Sequence, residues 1–268
     1  MSTSNINQSM LTEAKAFLLD MDGTFFLGDT LLPGALELLK LFNQRGLPFS
    51  FLTNNTSRSK GDYIRKLMRL GVKHEDARVF TAGDATIAYL KKHHPGKKIF
   101  LLGTPSLEES FRASGFDLSE SDPDVVVIGY DTTLTYVRLS AFCHFVRQGL
   151  PYVATHPDVN CPSPAGPVPD IGAMMSLVEA STGRKADVVI GKPNPGIVNA
   201  LAQEWGLEPK DMVMVGDRLY TDIALGQTAG VRTVLVLSGE TKREDLVNAI
   251  YQPDLVCENL ADLARYLI

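Results

Sequence analysis

Asp20-Met21-Asp22-Gly23-Thr24, Thr53-Asn54-Asn55, Gly191-Lys192-Pro193 and Gly216-Asp217-Arg218 with Thr221-Asp222 are four polar clusters, each at or just beyond the end of an apolar run. Together they supply a nucleophilic carboxylate, a second carboxyl that can give and take a proton, a hydroxyl, a cation and a further carboxylate pair. That is the set needed to move a phosphoryl group through an aspartyl ester. Two positions apart on a chain leaving a strand, Asp20 and Asp22 can face one site. Asp20 is read as the nucleophile and Asp22 as the acid that protonates the leaving oxygen and then deprotonates water. Gly23 lets the backbone turn close to the phosphate.

Each cluster also has a structural reading. Asp and Gly dominate turns, so Asp20 to Thr24 could be a turn and nothing more. Thr53 could open a capping turn leading to Ser57, and Asp217 with Thr221 could cap a helix. It is their co-occurrence that favours chemistry. Phosphate oxygens and several carboxylates in one place need positive charge, and a hard cation with oxygen ligands, usually magnesium, is the expected solution. Asp20, the backbone carbonyl of Asp22 and Asp217 are the expected ligands, with Asp222 behind them or as an extra ligand. Lys192 is expected to neutralise phosphate and hold Asp20, while Thr53, Asn54 and Asn55 offer a hydroxyl and amides to the same group. Of the five histidines only His156, in Thr155-His156-Pro157-Asp158, stands where a strand opens into a loop, so His156 and Asp158 are candidate substrate contacts.

These side chains converge only if the elements around them form one sheet. Ala16 to Leu19, Phe49 to Leu52, Val188 to Ile190, Met212 to Val215 and Thr233 to Leu237 are short, nearly continuous apolar runs. Helical spacing follows most of them: Gly34 to Arg45, a helix capped by Ser57 or Ser59 and running to Leu70, Pro195 to Trp205, and Thr221 to Ala229. Such alternation predicts a parallel sheet covered on both faces, in which ligands sit at the carboxyl ends of the strands. Between them, Ile99 to Leu102, Val125 to Ile128 and Tyr152 to Ala154 alternate with helices over Leu107 to Ala113, Tyr136 to Arg147 and Ile171 to Thr182. The chain is accordingly read as a discontinuous core, 1–80 and 188–268, interrupted by an α/β unit over 81–187. Pro157 to Pro169 reads as an ordered loop.

With 268 residues, 44% apolar and 21% charged, the chain can bury a sizeable core. A net charge of -5 offers no field for a nucleic-acid polymer or an acidic membrane surface. Cys143, Cys161 and Cys257 are odd in number and far apart, which fits reduced thiols in a cytoplasmic protein. The first ten residues are polar, without the order of a signal peptide, and are expected to fray.

As a set, Asp20 to Thr24, Thr53 to Asn55, Lys192 and Gly216 to Asp222 resemble, in order, the four motifs of the haloacid dehalogenase superfamily, and among its branches the phosphatases related to NagD and to 4-nitrophenyl phosphatases. The resemblance implies a Rossmann-like α/β core with an inserted α/β cap. Asp20 to Thr53 spans only 33 positions, whereas Thr53 to Lys192 spans 139, enough for a cap of the second type, which in that family shields the site and selects the substrate. It further implies a magnesium-dependent phosphomonoesterase acting on small phosphorylated metabolites (sugar phosphates, nucleotides, 4-nitrophenyl phosphate), with homodimers formed through the cap. A dehalogenase would not need an acid at Asp22. A phosphomutase and a phosphate-binding protein without turnover are the alternatives. At His156 many relatives are expected to carry asparagine, so the substrate preference of the cap is not carried over.

Overall fold

The computed structural model describes residues 11–163 and 165–268 of the chain; the expected fraying of the first ten residues lies outside them. Six parallel strands form the larger sheet, in the order Leu255–Cys257, Arg232–Val236, Met212–Gly216, Ala16–Asp20, Phe49–Thr53 and Val79–Thr81. Both faces of its central strands are buried, which is why their sequences read as unbroken apolar runs. Alternate residues serve opposite layers: Phe17 and Leu19 join one apolar cluster, Ala16 and Leu18 the other. In the first cluster Phe17 stacks on Phe42 at 4.3 Å between ring centroids, tying the strand to helix Ala35–Arg45.

A second, four-stranded parallel sheet has the order Val188–Val189, Tyr152–Ala154, Val125–Ile128, Ile99–Leu102. Here too the layers alternate, with Phe100 and Leu102 in one cluster and Ile99 and Leu101 in the other. Helices Pro105–Ala113, Tyr136–Arg147 and Ile171–Thr182 accompany it.

The structure moves one strand from where the sequence put it. Val188–Val189 pairs with Val153 and Ala154, in the smaller sheet and not the larger. A run this short fits either sheet, and only its partner decides. The ladder continues past the strand, Ile190 N–H donating to Ala154 O at 3.0 Å and Gly191 N–H to Thr155 O at 2.8 Å. Lys192 therefore reaches the larger sheet from the smaller one. Among the elements not read from the sequence are strands Val79–Thr81 and Leu255–Cys257, helices Ala82–His93 and Leu260–Tyr266, and the small hairpin of Phe26–Leu27 and Thr30–Leu31. Within the expected loop 157–169, Asn160–Cys161 and Val168–Pro169 form a small antiparallel ladder.

Candidate active site

Asp20 is the last residue of strand Ala16–Asp20 and Thr53 the last of its neighbour Phe49–Thr53, so the sheet itself puts the two side by side. Met212–Gly216, on the other side of Ala16–Asp20, delivers Asp217 just beyond its end. Lys192 enters from the opposite sheet. Its ammonium donates to Asp20 Oδ1 at 2.5 Å and to Asp222 Oδ1 at 2.6 Å. Carboxylate oxygens of Asp20, Asp217 and Asp222 lie within 4.8 Å of one another, and all three residues are buried.

None of these acids is caught in a capping role. Asp217 accepts from Thr24 Oγ1 at 3.2 Å and from Glu240 N–H at 2.7 Å, neither of them a helix amide behind it. The segment expected to be a helix from Thr221 opens instead with a wide π turn over Leu219–Ile223, in which Ile223 N–H reaches back to Arg218 O at 3.2 Å. Such turns re-aim side chains at functional sites. This one turns Asp222 inward, where its second oxygen accepts from Arg218 N–H at 3.1 Å.

Gly23 has the conformational role expected of it, at φ +93°, yet the atoms it spares belong to the protein: a Cβ there would stand 2.5 Å from Asp217 Oδ2. Gly239 is tighter, its absent Cβ falling 1.9 Å from the same oxygen. Two bare backbone positions thus make room for one carboxylate.

Three buried carboxylates face one ammonium. Burial pushes Asp20 well up from the usual carboxylate range; Lys192 pulls it down, and Asp222 and Asp217 push it up again. Burial and Asp222 push Asp217 up to about 7. Burial acting alone would lower the Lys192 ammonium, but Asp20 and Asp222 outweigh it and hold the charge. Asp22, half-buried beside them, is raised by burial against the pull of Lys66, Arg218 and Arg58, which favours the protonated form that an acid needs. A cluster of buried oxygen donors short of positive charge is what a hard divalent cation requires, so the residues fit one.

The cavity above Asp20 is lined by Asp22, Thr53 and Asn55 from below and by Asp158, Cys161 and Asp170 from above. It holds about 320 Å³ between atoms but only about 20 Å³ in which the centre of a water can move. The roof therefore lies close over Asp20. A roomier groove along Leu36, Leu39 and Val72, of about 540 Å³, has no comparable set of side chains.

Several assignments change in detail. Asn54, expected to offer its amide to phosphate, donates to Lys192 O at 3.1 Å and Asp158 Oδ1 at 2.9 Å and accepts from Lys192 N–H at 2.8 Å. Its amide is engaged by the Lys192 backbone and by Asp158. Asn55 Oδ1 accepts from Ser57 N–H and Oγ at 2.9 and 2.7 Å, leaving its Nδ2 toward Cys161 Sγ at 3.4 Å. Thr53 Oγ1 accepts from Asn55 N–H at 3.1 Å, and its hydroxyl also meets the Tyr63 phenol at the edge of the cavity. His156 does not line the cavity: its ring is fully buried, one nitrogen 3.0 Å from Thr155 Oγ1 and the other 3.1 Å from Asp170 Oδ1. Asp158 does line it, paired with Arg218 Nη1 at 2.5 Å.

Residues 17–117 match the haloacid dehalogenase-like hydrolase family, and residues 189–263 match a second description of HAD-like hydrolases. An acid sugar phosphatase of Staphylococcus saprophyticus is 32% identical over 94% of this chain and 98% of its own. The chain belongs to the haloacid dehalogenase-like hydrolases. Among solved members of that family, the 4-nitrophenylphosphatase of Thermotoga maritima superimposes with a TM-score of 0.93 at 49% identity, covering 97% of this chain and 99% of its own. A glycerol phosphate phosphatase of Mycobacterium tuberculosis, in complex with calcium, superimposes with a TM-score of 0.83 at 29% identity over 96% of this chain and 76% of its own. As a family member the chain is a hydrolytic enzyme, and among its described residues no helix is long and apolar enough to cross a membrane.

Sequence reading missed three parts of this hydrolase's site. Arg218 stood inside a quoted motif, and its buried guanidinium joins Asp158 to Glu240, whose Oε2 lies 3.0 Å from Nε at an angle too poor for a hydrogen bond. Cys161 and Asp170 gave no signal at all, the one a lone cysteine and the other a residue before an apolar helix that it caps through Ile171 N–H.

Proposed function

We propose that this hydrolase is a magnesium-dependent phosphomonoesterase that works through an aspartyl-phosphate on Asp20. The observation that carries the proposal is the Lys192 ammonium bridging Asp20 and Asp222, with Asp217 beside them and Asp22 two residues along. Asp20, the Asp22 carbonyl, Asp217 and Asp222 are the residues to hold the cation, and it would supply positive charge against the phosphate oxygens. In the first step an Asp20 oxygen forms a bond to phosphorus as the bond from phosphorus to the leaving oxygen breaks, and Asp22 gives that oxygen its proton. In the second, Asp22 takes a proton from water as the water oxygen attacks the same phosphorus and releases Asp20. Lys192 steadies Asp20 while charge moves to the phosphate, and Thr53 and Asn55 donate to the phosphate from the loop beside it.

The domain division belongs to the same proposal. Residues 1–80 and the chain from about 191 onward form the catalytic core, and the segment between them is a cap that closes the site. The boundary falls later than 188 because Val188–Val189 pairs within the cap sheet. Small phosphorylated metabolites are the substrates proposed, a range supported by the relatives, which include an acid sugar phosphatase and a 4-nitrophenylphosphatase.

The test is release of inorganic phosphate from 4-nitrophenyl phosphate with magnesium and with a chelator. Asp20→Asn is expected to lower turnover by about 10⁴-fold or more while circular dichroism keeps its native form. Full activity in that variant removes Asp20 as nucleophile. Phosphoryl return without phosphate release would mark a mutase.

A further inference from the structure

Two carboxylates of the roof differ in what they leave open. Asp158 has both oxygens taken, one by Asn54 and the other by Arg218. Asp170 is 1% exposed and receives Ile171 N–H at 2.6 Å and His156 Nε2 at 3.1 Å on the same oxygen, Oδ1. Among the described residues nothing donates to its Oδ2, and Asp170 lines the cavity over Asp20. Its Oδ2 is therefore an acceptor left open to this cavity, free to receive a donor from whatever enters it. Lys192 is engaged by Asp20 and Asp222, and Arg218 by Asp158 and Glu240, so the basic group that reaches Asp170 is His156, and it does so through Oδ1 and not Oδ2.

His156 holds this carboxylate in place. Its Nε2–H donates to Asp170, which leaves Nδ1 to accept from the Thr155 hydroxyl. Thr155 Oγ1 lies 3.2 Å from Thr56 Oγ1, which in turn accepts from Tyr130 N–H at 2.9 Å. The chain thus runs from Tyr130 through Thr56 of the loop after strand Phe49–Thr53 and back through Thr155 to Asp170. It is buried along its length, so the carboxylate is fixed before any ligand arrives.

We propose that Asp170 Oδ2 is the leaving-group subsite of this enzyme: it accepts a hydrogen bond from a hydroxyl of the departing alcohol, selecting uncharged, hydroxylated leaving groups such as polyols and sugars and disfavouring those with a second anion. His156 is its positioning residue. The inference rests on the phosphomonoesterase reading and adds the class of substrate to it.

Three phosphate esters of similar size separate the cases: glycerol 1-phosphate, n-propyl phosphate, which lacks the hydroxyls, and 2-phosphoglycolate, which carries a carboxylate. With magnesium, the natural enzyme is expected to favour glycerol 1-phosphate over n-propyl phosphate in kcat/KM by about tenfold to a hundredfold, the worth of a hydrogen bond to a charged group. In Asp170→Ser, which keeps a capping oxygen for helix Ile171–Thr182, that ratio is expected to fall to about one. Asp170→Asn, which removes only the charge, is expected to raise 2-phosphoglycolate relative to n-propyl phosphate by about tenfold, and this readout stands if the serine variant does not fold. His156→Leu is expected to raise KM for glycerol 1-phosphate more than KM for n-propyl phosphate. Equal use of glycerol 1-phosphate and n-propyl phosphate by the natural enzyme, or equal losses on both in Asp170→Ser, overturns the proposal. Failure to cleave even 4-nitrophenyl phosphate overturns the phosphomonoesterase reading first and this inference with it.

Discussion

The floor and the roof of the cavity are both built from buried charge, but they balance it differently. In the floor, Asp20, Asp217 and Asp222 outnumber Lys192, and burial first, then the neighbouring carboxylates, push the carboxyls of Asp20 and Asp217 upward. In the roof, Asp158 is neutralised by Arg218, and Asp170 leans on a relay of hydroxyls and imidazole. A floor short of positive charge is suited to capturing a cation and a phosphate. A roof that has settled most of its own charge is suited to shape and selection. The difference teaches that burial does opposite work in the two halves: below, it stores demand for a ligand, and above, it fixes a template.

Breaking the floor should cost most. In Lys192→Met, Asp20 and Asp222 lose their shared cation in a site where Lys192 is 2% exposed. Removing one partner of a buried pair destabilises by about 3–5 kcal/mol, and turnover should fall by about 10²- to 10³-fold as the charge on the transferring group goes unanswered. Urea unfolding and phosphate release measure the two. An unchanged midpoint would mean that the floor is not held by this ion bridge.

A cation should repair the floor in a pH-dependent way. The Asp217 carboxyl sits at about 7 in the folded protein against 3.8 in the unfolded chain. Its folded form binds the proton more tightly, so the stability this contributes is complete below about pH 4 and is lost as pH rises through about 7, a change on the order of a few kcal/mol. Magnesium offsets the lost proton. The rise in melting temperature on adding magnesium to chelator-treated protein should therefore be larger at pH 8 than at pH 5. An equal rise at both would show that Asp217 does not hold the cation.

How much of this the sequence made legible follows the same division. The floor was readable because each acid ends an apolar run and a parallel sheet gathers strand ends; Asp20, Thr53 and Asp217 needed no further information. Lys192 was read as following a strand of the larger sheet, whereas it arrives from the smaller one, since two valines pair with whichever edge is nearest. The roof was not readable. Asp170 looks like any helix cap, and nothing local shows that its free oxygen faces a cavity made by strands 150 positions earlier, as Asp20 is. His156 drew attention for standing at a strand end, yet its partners Thr155 and Asp170 turn it inward, a direction that only the folded chain decides.

The smallest expected effect sharpens the contrast at Cys161, the roof residue nearest to being a reactive group. Its thiol is pushed up to about 12, first by burial and then by Asp22 and Asp170, so it remains protonated at neutral pH. Thiolate is the nucleophilic form, and a buried thiol surrounded by acids is chemically quiet. Its contact with Asn55 Nδ2, 3.4 Å long, is a weak bond that a serine hydroxyl can replace. Cys161→Ser should therefore change kcat for 4-nitrophenyl phosphate by less than about threefold, in keeping with the few tenths of a kcal/mol to 1 kcal/mol that a single weak hydrogen bond contributes. Alkylation by iodoacetamide at pH 7 should be correspondingly slow. A loss of turnover near that of Lys192→Met would place chemistry in the roof and erase the division of labour between the two halves.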